Sequence, residues 1–177
     1  KDVTVTINKA NAVAATVTAN SRTYDGTEKP LVTVTGEATG GTMQYALGTA
    51  TEATQPYTTS IPSKTDAGAY YVWYKVVGDA NHNNTTPDSV TVTIAPKSGD
   101  TVTAAQTAGE TLTYDGTAKA PTLTVKDGAT DITTYAVKYV GVAPTQYAES
   151  QTAPTDAGSY KAVIELSGNY SGTKEAA

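Results

Sequence analysis

Apolar and polar residues alternate along almost the whole chain. Val-Thr-Val-Thr-Ile at 3–7, Val-Thr-Val-Thr at 32–35 and Tyr-Val-Trp-Tyr-Lys-Val-Val at 71–77 are the clearest runs. A period of two puts successive side chains on opposite faces of a strand. No stretch repeats its apolar residues every 3.6 positions, so no helix is predicted. The pattern predicts strands near 13–19, 31–35, 42–47, 57–61, 69–77 and 89–95, and again near 101–104, 111–113, 121–126, 134–140, 145–149 and 159–166. Gly, Pro, Asp and Asn punctuate them as turn signals. Many short strands between frequent turns suggest β-sandwiches, mostly antiparallel, with one face of each strand buried.

The pattern also repeats. TYDGTEKP at 23–30 returns as TYDGTAKAP at 113–121, and TDAG at 65–68 returns at 155–158, both at an offset of 90 residues. Two landmarks keeping one spacing indicate two homologous modules. A third echo sets the phase. VTVTI at 3–7 is identical to VTVTI at 90–94, which closes the first module after its long strand. No such run follows SGTKEAA in the second. If VTVTI instead opened each module, both copies would be complete, but AVAATVTA at 12–19 already supplies an opening strand. The expected division is therefore an orphan terminal strand of a preceding repeat at 1–8, a first repeat at 9–96 and a second at 97–177 lacking its last strand. An orphan strand and an open sheet edge recruit each other. Head-to-tail pairing is expected, with residues 3–7 beside strand 159–166 of another copy.

Asp66-Ala67-Gly68-Ala69-Tyr70 and Asp156-Ala157-Gly158-Ser159-Tyr160 stand just before the two most strongly alternating strands. In immunoglobulin-like sandwiches a Tyr at this place bonds back to the backbone a few residues upstream. Where an antibody domain carries Cys, two residues later, stand Val72 and Ala162. The Tyr-Asp-Gly-Thr phrases at 24–27 and 114–117 read as tight turns anchored by their Tyr.

Taken in order, T-Y-D-G-T-x-K with a following Pro, then T-D-A-G-x-Y, then V-T-V-T-I, the chain resembles the YDG/MBG-type repeats of large bacterial surface proteins. The resemblance covers both modules, although the first reads S-K-T-D-A-G where the second reads P-T-D-A-G. It implies tandem extracellular modules of adhesin-like or wall-attached proteins, often serving as stalks. The fold expected is all-β, as two tandem immunoglobulin-like sandwiches; related surface repeats of β-grasp type supply the alternative. The resemblance transfers no catalytic residue.

Composition narrows the chemistry. The net charge is −5 and there is no basic run, which argues against nucleic acid or an anionic membrane as partner. No apolar stretch approaches the roughly 20 residues of a membrane span. With 0 Cys, disulfides, thiol catalysis and thiolate metal sites are excluded. There are 12 Tyr, 1 Trp and 0 Phe, so Tyr must supply most aromatic packing. The only His, His82, lies in a polar loop, and no Ser/His/Asp set or phosphate-binding loop can be assembled. Neither an enzyme nor a cofactor is expected. Asp79, Asn81, Asn83, Asn84 and Asp88 offer hard oxygen donors, but in no EF-hand order, and a polar loop is the favoured reading over a metal site. Lys29 and Lys119 recur in equivalent places and are candidates for Lys–Asn/Asp cross-links, which need an adjacent partner and a buried acid.

One contrast between the modules stands out. Tyr70, Val72, Tyr74 and Val76 share the face expected inside, so Tyr71 and Trp73 point outward, where the second module has Lys161 and Val163. Tyr71 and Trp73 are the candidate binding residues, as an exposed stacking platform for a glycan or a contact for a host surface protein. The expected role is a stalk or spacer on a bacterial cell surface, or in a secreted protein, with neighbouring repeats as the main partners.

Overall fold

The computed structural model describes residues 2–176; Lys1 and Ala177, the outermost residues of the orphan segment and of the second repeat, lie outside it. The chain divides between Ala95 and Pro96 into two compact units. Both are all-β. The described residues hold one short 3₁₀ turn, Gly99–Thr101, and no α-helix to cross a sheet as a β-grasp module requires.

In the first unit a four-stranded sheet runs in the order Arg22–Thr23, Asp88–Ala95, Gly68–Gly78, Gly41–Gly48. Asp88–Ala95 lies antiparallel to the long strand, with Val90 opposite Val72, Val92 opposite Tyr70 and Ile94 opposite Gly68. Alternation does the rest: these apolar side chains fall on one face. They meet Leu31 and Val32 from the facing layer, where Thr16–Ala19 pairs with Val32–Thr35. Leu31, Val32, Val72, Val92 and Ile94 are fully buried, and Val17, Val34, Leu47, Tyr24 and Tyr70 pack around them. Burial of each such side chain is worth about 1.5–3 kcal/mol.

The second unit repeats the plan. Its main sheet runs Lys97–Ser98, Tyr170–Glu175, Tyr160–Leu166, Tyr135–Gly141, and a second sheet joins Val102–Gln106, Leu123–Asp127 and Thr130–Asp131. Ala162, Ile164 and Leu166 of the main sheet and Val102, Ala104 and Val125 of the second are buried.

The second repeat is expected to lack its last strand, and part of a strand stands at that place. Tyr170–Glu175, beyond the predicted strand 159–166, is a strand antiparallel to Val163–Leu166. It covers only half of its neighbour. Ala176 N–H donates to Ala162 C=O at 2.9 Å, and no strand among the described residues lies beyond it on that side of Tyr160. At the other end of the chain, residues 2–9 form no strand.

Three predicted strands did not form. Residues 57–61 make one bridge, Thr58 to Tyr45, and 145–149 lie next to a single bridge between Tyr139 and Ser150. Residues 111–113 form no strand. An unpredicted parallel pair, Ala10–Asn11 with His82–Asn83, appears instead.

Candidate binding face on the first unit

The long strand Gly68–Gly78 turns Val72 and Val76 into the core, so Tyr71, Trp73 and Lys75 stand on the outer face. The sheet register surrounds the two aromatics with small residues. Tyr71 lies between Gly48 and Thr91, and Trp73 between Ala46 and Ser89.

The predicted exposure of this pair is corrected. Both residues are half-buried. Trp73 Nε1–H donates to Thr49 C=O at 2.9 Å. The turn after Gly48 is closed by Thr49 N–H to Glu52 C=O at 2.8 Å and by the bridge from Gly48 to Ala53. Only glycine fits at position 48. A Cβ there would stand 2.1 Å from Glu52 O and 2.8 Å from Trp73 Cδ1. Further along, Lys75 Nζ sits 4.2 Å from the centre of the Tyr57 ring, a cation–π contact on the same side. The segment from Thr49 to Thr58 therefore folds back over the outer face, and Ala46, which points outward, is buried. Nothing in the polar sequence of that segment announced this cover.

The equivalent face of the second unit is charged. Lys161 pairs with Glu175 at 2.9 Å. Lys138 lies 3.1 Å from Glu165 and 3.5 Å from Glu149, and these carboxylates, Glu165 foremost, raise its pKa.

The other candidate residues are engaged locally. His82 Nδ1 lies 2.7 Å from Asp79 Oδ1, and that hydrogen bond is the main cause of the lowered Asp79 pKa. Asn84 Oδ1 accepts from Gly78 N–H, Asn83 Nδ2 donates to Asn11 Oδ1, and Asp88 Oδ2 accepts from Tyr74 Oη–H at 3.0 Å. The loop's oxygens are thus spent holding strand ends together. Lys29 pairs with Asp25 and Lys119 with Asp115, the latter at 2.6 Å. Each Asp is the turn residue of a Tyr-Asp-Gly-Thr phrase. Asp115 Oδ1 also accepts the Thr117 N–H and Oγ1–H. Lys119 first, then Thr117, holds the Asp115 pKa down to about 2. These pairs are four residues apart, so a covalent link there would staple only its own turn.

A feature that sequence reasoning missed lies in the second unit. A cleft of about 400 Å³ opens between Tyr139, Tyr160 and Ala162 on the sheet and Leu112, Tyr114 and Pro154 on the loops.

No family model, curated protein or solved structure matches this chain.

Proposed function

We propose that the chain is a structural, adhesive-type spacer from the surface of a bacterium, built from two copies of one β-module and carrying out no catalysis. The observation that carries this reading is what the two units have in common. Tyr70 Oη–H donates to Asp66 C=O at 2.8 Å, and Tyr160 Oη–H donates to Asp156 C=O at 2.9 Å. The Asp-Gly turns repeat their Lys and Thr bonds as well. Every device that recurs holds the fold, and a spacer selects for repeated folding units whose contacts run between neighbours. Immunoglobulin-like architecture and an extracellular location belong to the same proposal, supported by the tyrosine corner and by the resemblance to surface repeats.

A second reading has one specific observation behind it. Tyr71 and Trp73, set among Gly48, Ala46, Thr91 and Ser89, form an aromatic strip that only the first unit possesses. Aromatic faces of this kind stack on sugar rings and anchor protein partners. An array of glycans and host matrix proteins separates the readings, with Tyr71→Ala as the control because Trp73 is tied into the fold. The spacer reading expects no retention of the wild-type chain. Retention that Tyr71→Ala abolishes would replace it with the binding reading.

A further inference from the structure

Three aspartates stand directly before a glycine: Asp25, Asp115 and Asp127. The pair is a chemical liability. Without a side chain, the glycine leaves its amide nitrogen unshielded beside the aspartate carboxyl. That nitrogen attacks Cγ and loses its proton, a carboxyl oxygen leaves as water, and a five-membered imide closes. Water then opens either carbonyl of the imide. One opening restores aspartate; the other returns the main chain through Cβ as isoaspartate. The step runs through the neutral carboxyl, since the oxygen of a carboxylate is a far poorer leaving group. The turns do not allow escape by changing the glycine. Gly26 and Gly116 adopt φ of 75° and 82°, where a side chain is strained. Burial does not protect them either, since the Asp115 side chain is 55% exposed.

All three carboxylates carry the same pair of donors. Asp25 Oδ1 accepts the Thr27 N–H and Oγ1–H, and Lys29 Nζ donates to its other oxygen. Asp115 accepts the same bonds from Thr117 and, at 2.6 Å, from Lys119. Asp127 lies in no Tyr-Asp-Gly-Thr phrase and reaches the same result by another route. Its donors are Lys97 Nζ at 2.5 Å and Thr101 Oγ1–H at 2.7 Å, 30 and 26 residues earlier, with Tyr170 Oη–H as a third at 3.1 Å. Two different local geometries thus converge on one lysine and one threonine for each Asp-Gly. Aspartates before other residues are held by other sets: Asp79 by His82 and Asn81, Asp88 by Tyr74. At each Asp-Gly the lysine first and the threonine next lower the pKa of the carboxyl, as donors to the charged form do.

We infer that Asp25, Asp115 and Asp127 are sites of isoaspartate formation held in check, and that the lysine and threonine on each carboxylate are what holds them. Lys29 and Lys119 then have a use beyond stability, to which exposed ion pairs add little. The damage they prevent is structural. Isoaspartate at 115 inserts one atom into the main chain four residues before the Lys119 N–H, which donates to Pro154 C=O at 2.8 Å. The inference stands whether or not the chain serves as a spacer.

Ageing of the full folded chain at neutral pH tests it. Isoaspartate is located by enzymatic methylation and peptide mapping, because the rearrangement leaves the mass unchanged. Lys119→Met is expected to gain isoaspartate at 115 about tenfold faster than wild type, a factor that allows for solvent screening of the pair. Lys119→Arg, which restores the charge, should return the rate to that of wild type. Thr117→Val, a second variant that keeps the ion pair, should fall between the two. Equal rates in wild type, Lys119→Met and Thr117→Val overturn the proposal and leave the rigidity of the turn as the protection. A rate in Lys119→Arg as fast as in Lys119→Met, with the fold intact by circular dichroism, overturns it as well.

Discussion

Two hydroxyl groups define the chain at the residue scale. The rings of Tyr70 and Tyr160 pack inward, and each hydroxyl reaches back four residues to an Asp carbonyl. The phrase Asp-Ala-Gly-x-Tyr was legible in the sequence because its geometry is local. Five consecutive residues contain donor, acceptor and the intervening bend. A net hydrogen bond of this kind contributes about 0.5–1.5 kcal/mol. Tyr70→Phe and Tyr160→Phe, which keep the rings, are expected to lower stability by about 1 kcal/mol each in urea denaturation. An unchanged midpoint in both would mean that ring packing alone makes the corner. The exposure of Trp73 was not legible in the same way. Parity gives the side of the strand to which it points, and that was right. What covers that side depends on Thr49 and Glu52, whose positions no periodicity encodes.

The element scale shows why some strands formed and others did not. Thr111–Thr113 alternates as well as Arg22–Thr23 does, but Arg22–Thr23 has Ile94–Ala95 beside it. A two-residue strand is made by its partner, and the paired residues, Ile94 with Arg22 and Ala95 with Thr23, lie far apart in sequence. The predicted segment 57–61 failed for a related reason. Its residues hold the turn over Trp73 through one bridge and do not extend the sheet. Gly48 is the pivot of that turn. Gly48→Ala places a methyl against Glu52 O and the indole ring, an overpacking that costs about 1–3 kcal/mol. Since Trp73 is the only Trp, its fluorescence reports the event directly. The expected outcome is a red-shifted emission as the turn lifts and the indole meets water. An unshifted spectrum would show that the turn does not depend on the bare Cα at 48.

For the whole molecule, the distribution of packing between the units matters most. Of the seven largest fully buried side chains, Leu31, Val32, Val72, Val76, Val92 and Ile94 belong to the first unit and only Ile164 to the second. Two of the six lie on one strand, Asp88–Ala95. Val92 and Ile94 complete the first core, while the second has the open cleft by Tyr160. Buried apolar area is the main favourable contribution to folding, and a lining with no atoms opposite forfeits contact energy as well. The second unit is therefore expected to melt first, giving two transitions in calorimetry. Ile94→Ala provides the assignment. It removes a fully buried side chain from the first unit, at a cost of about 2–5 kcal/mol, so the upper transition should fall toward the lower one while the lower stays in place. If the two transitions moved together, the units would be folding as one cooperative body, and the open cleft would be a weakness shared by the whole chain.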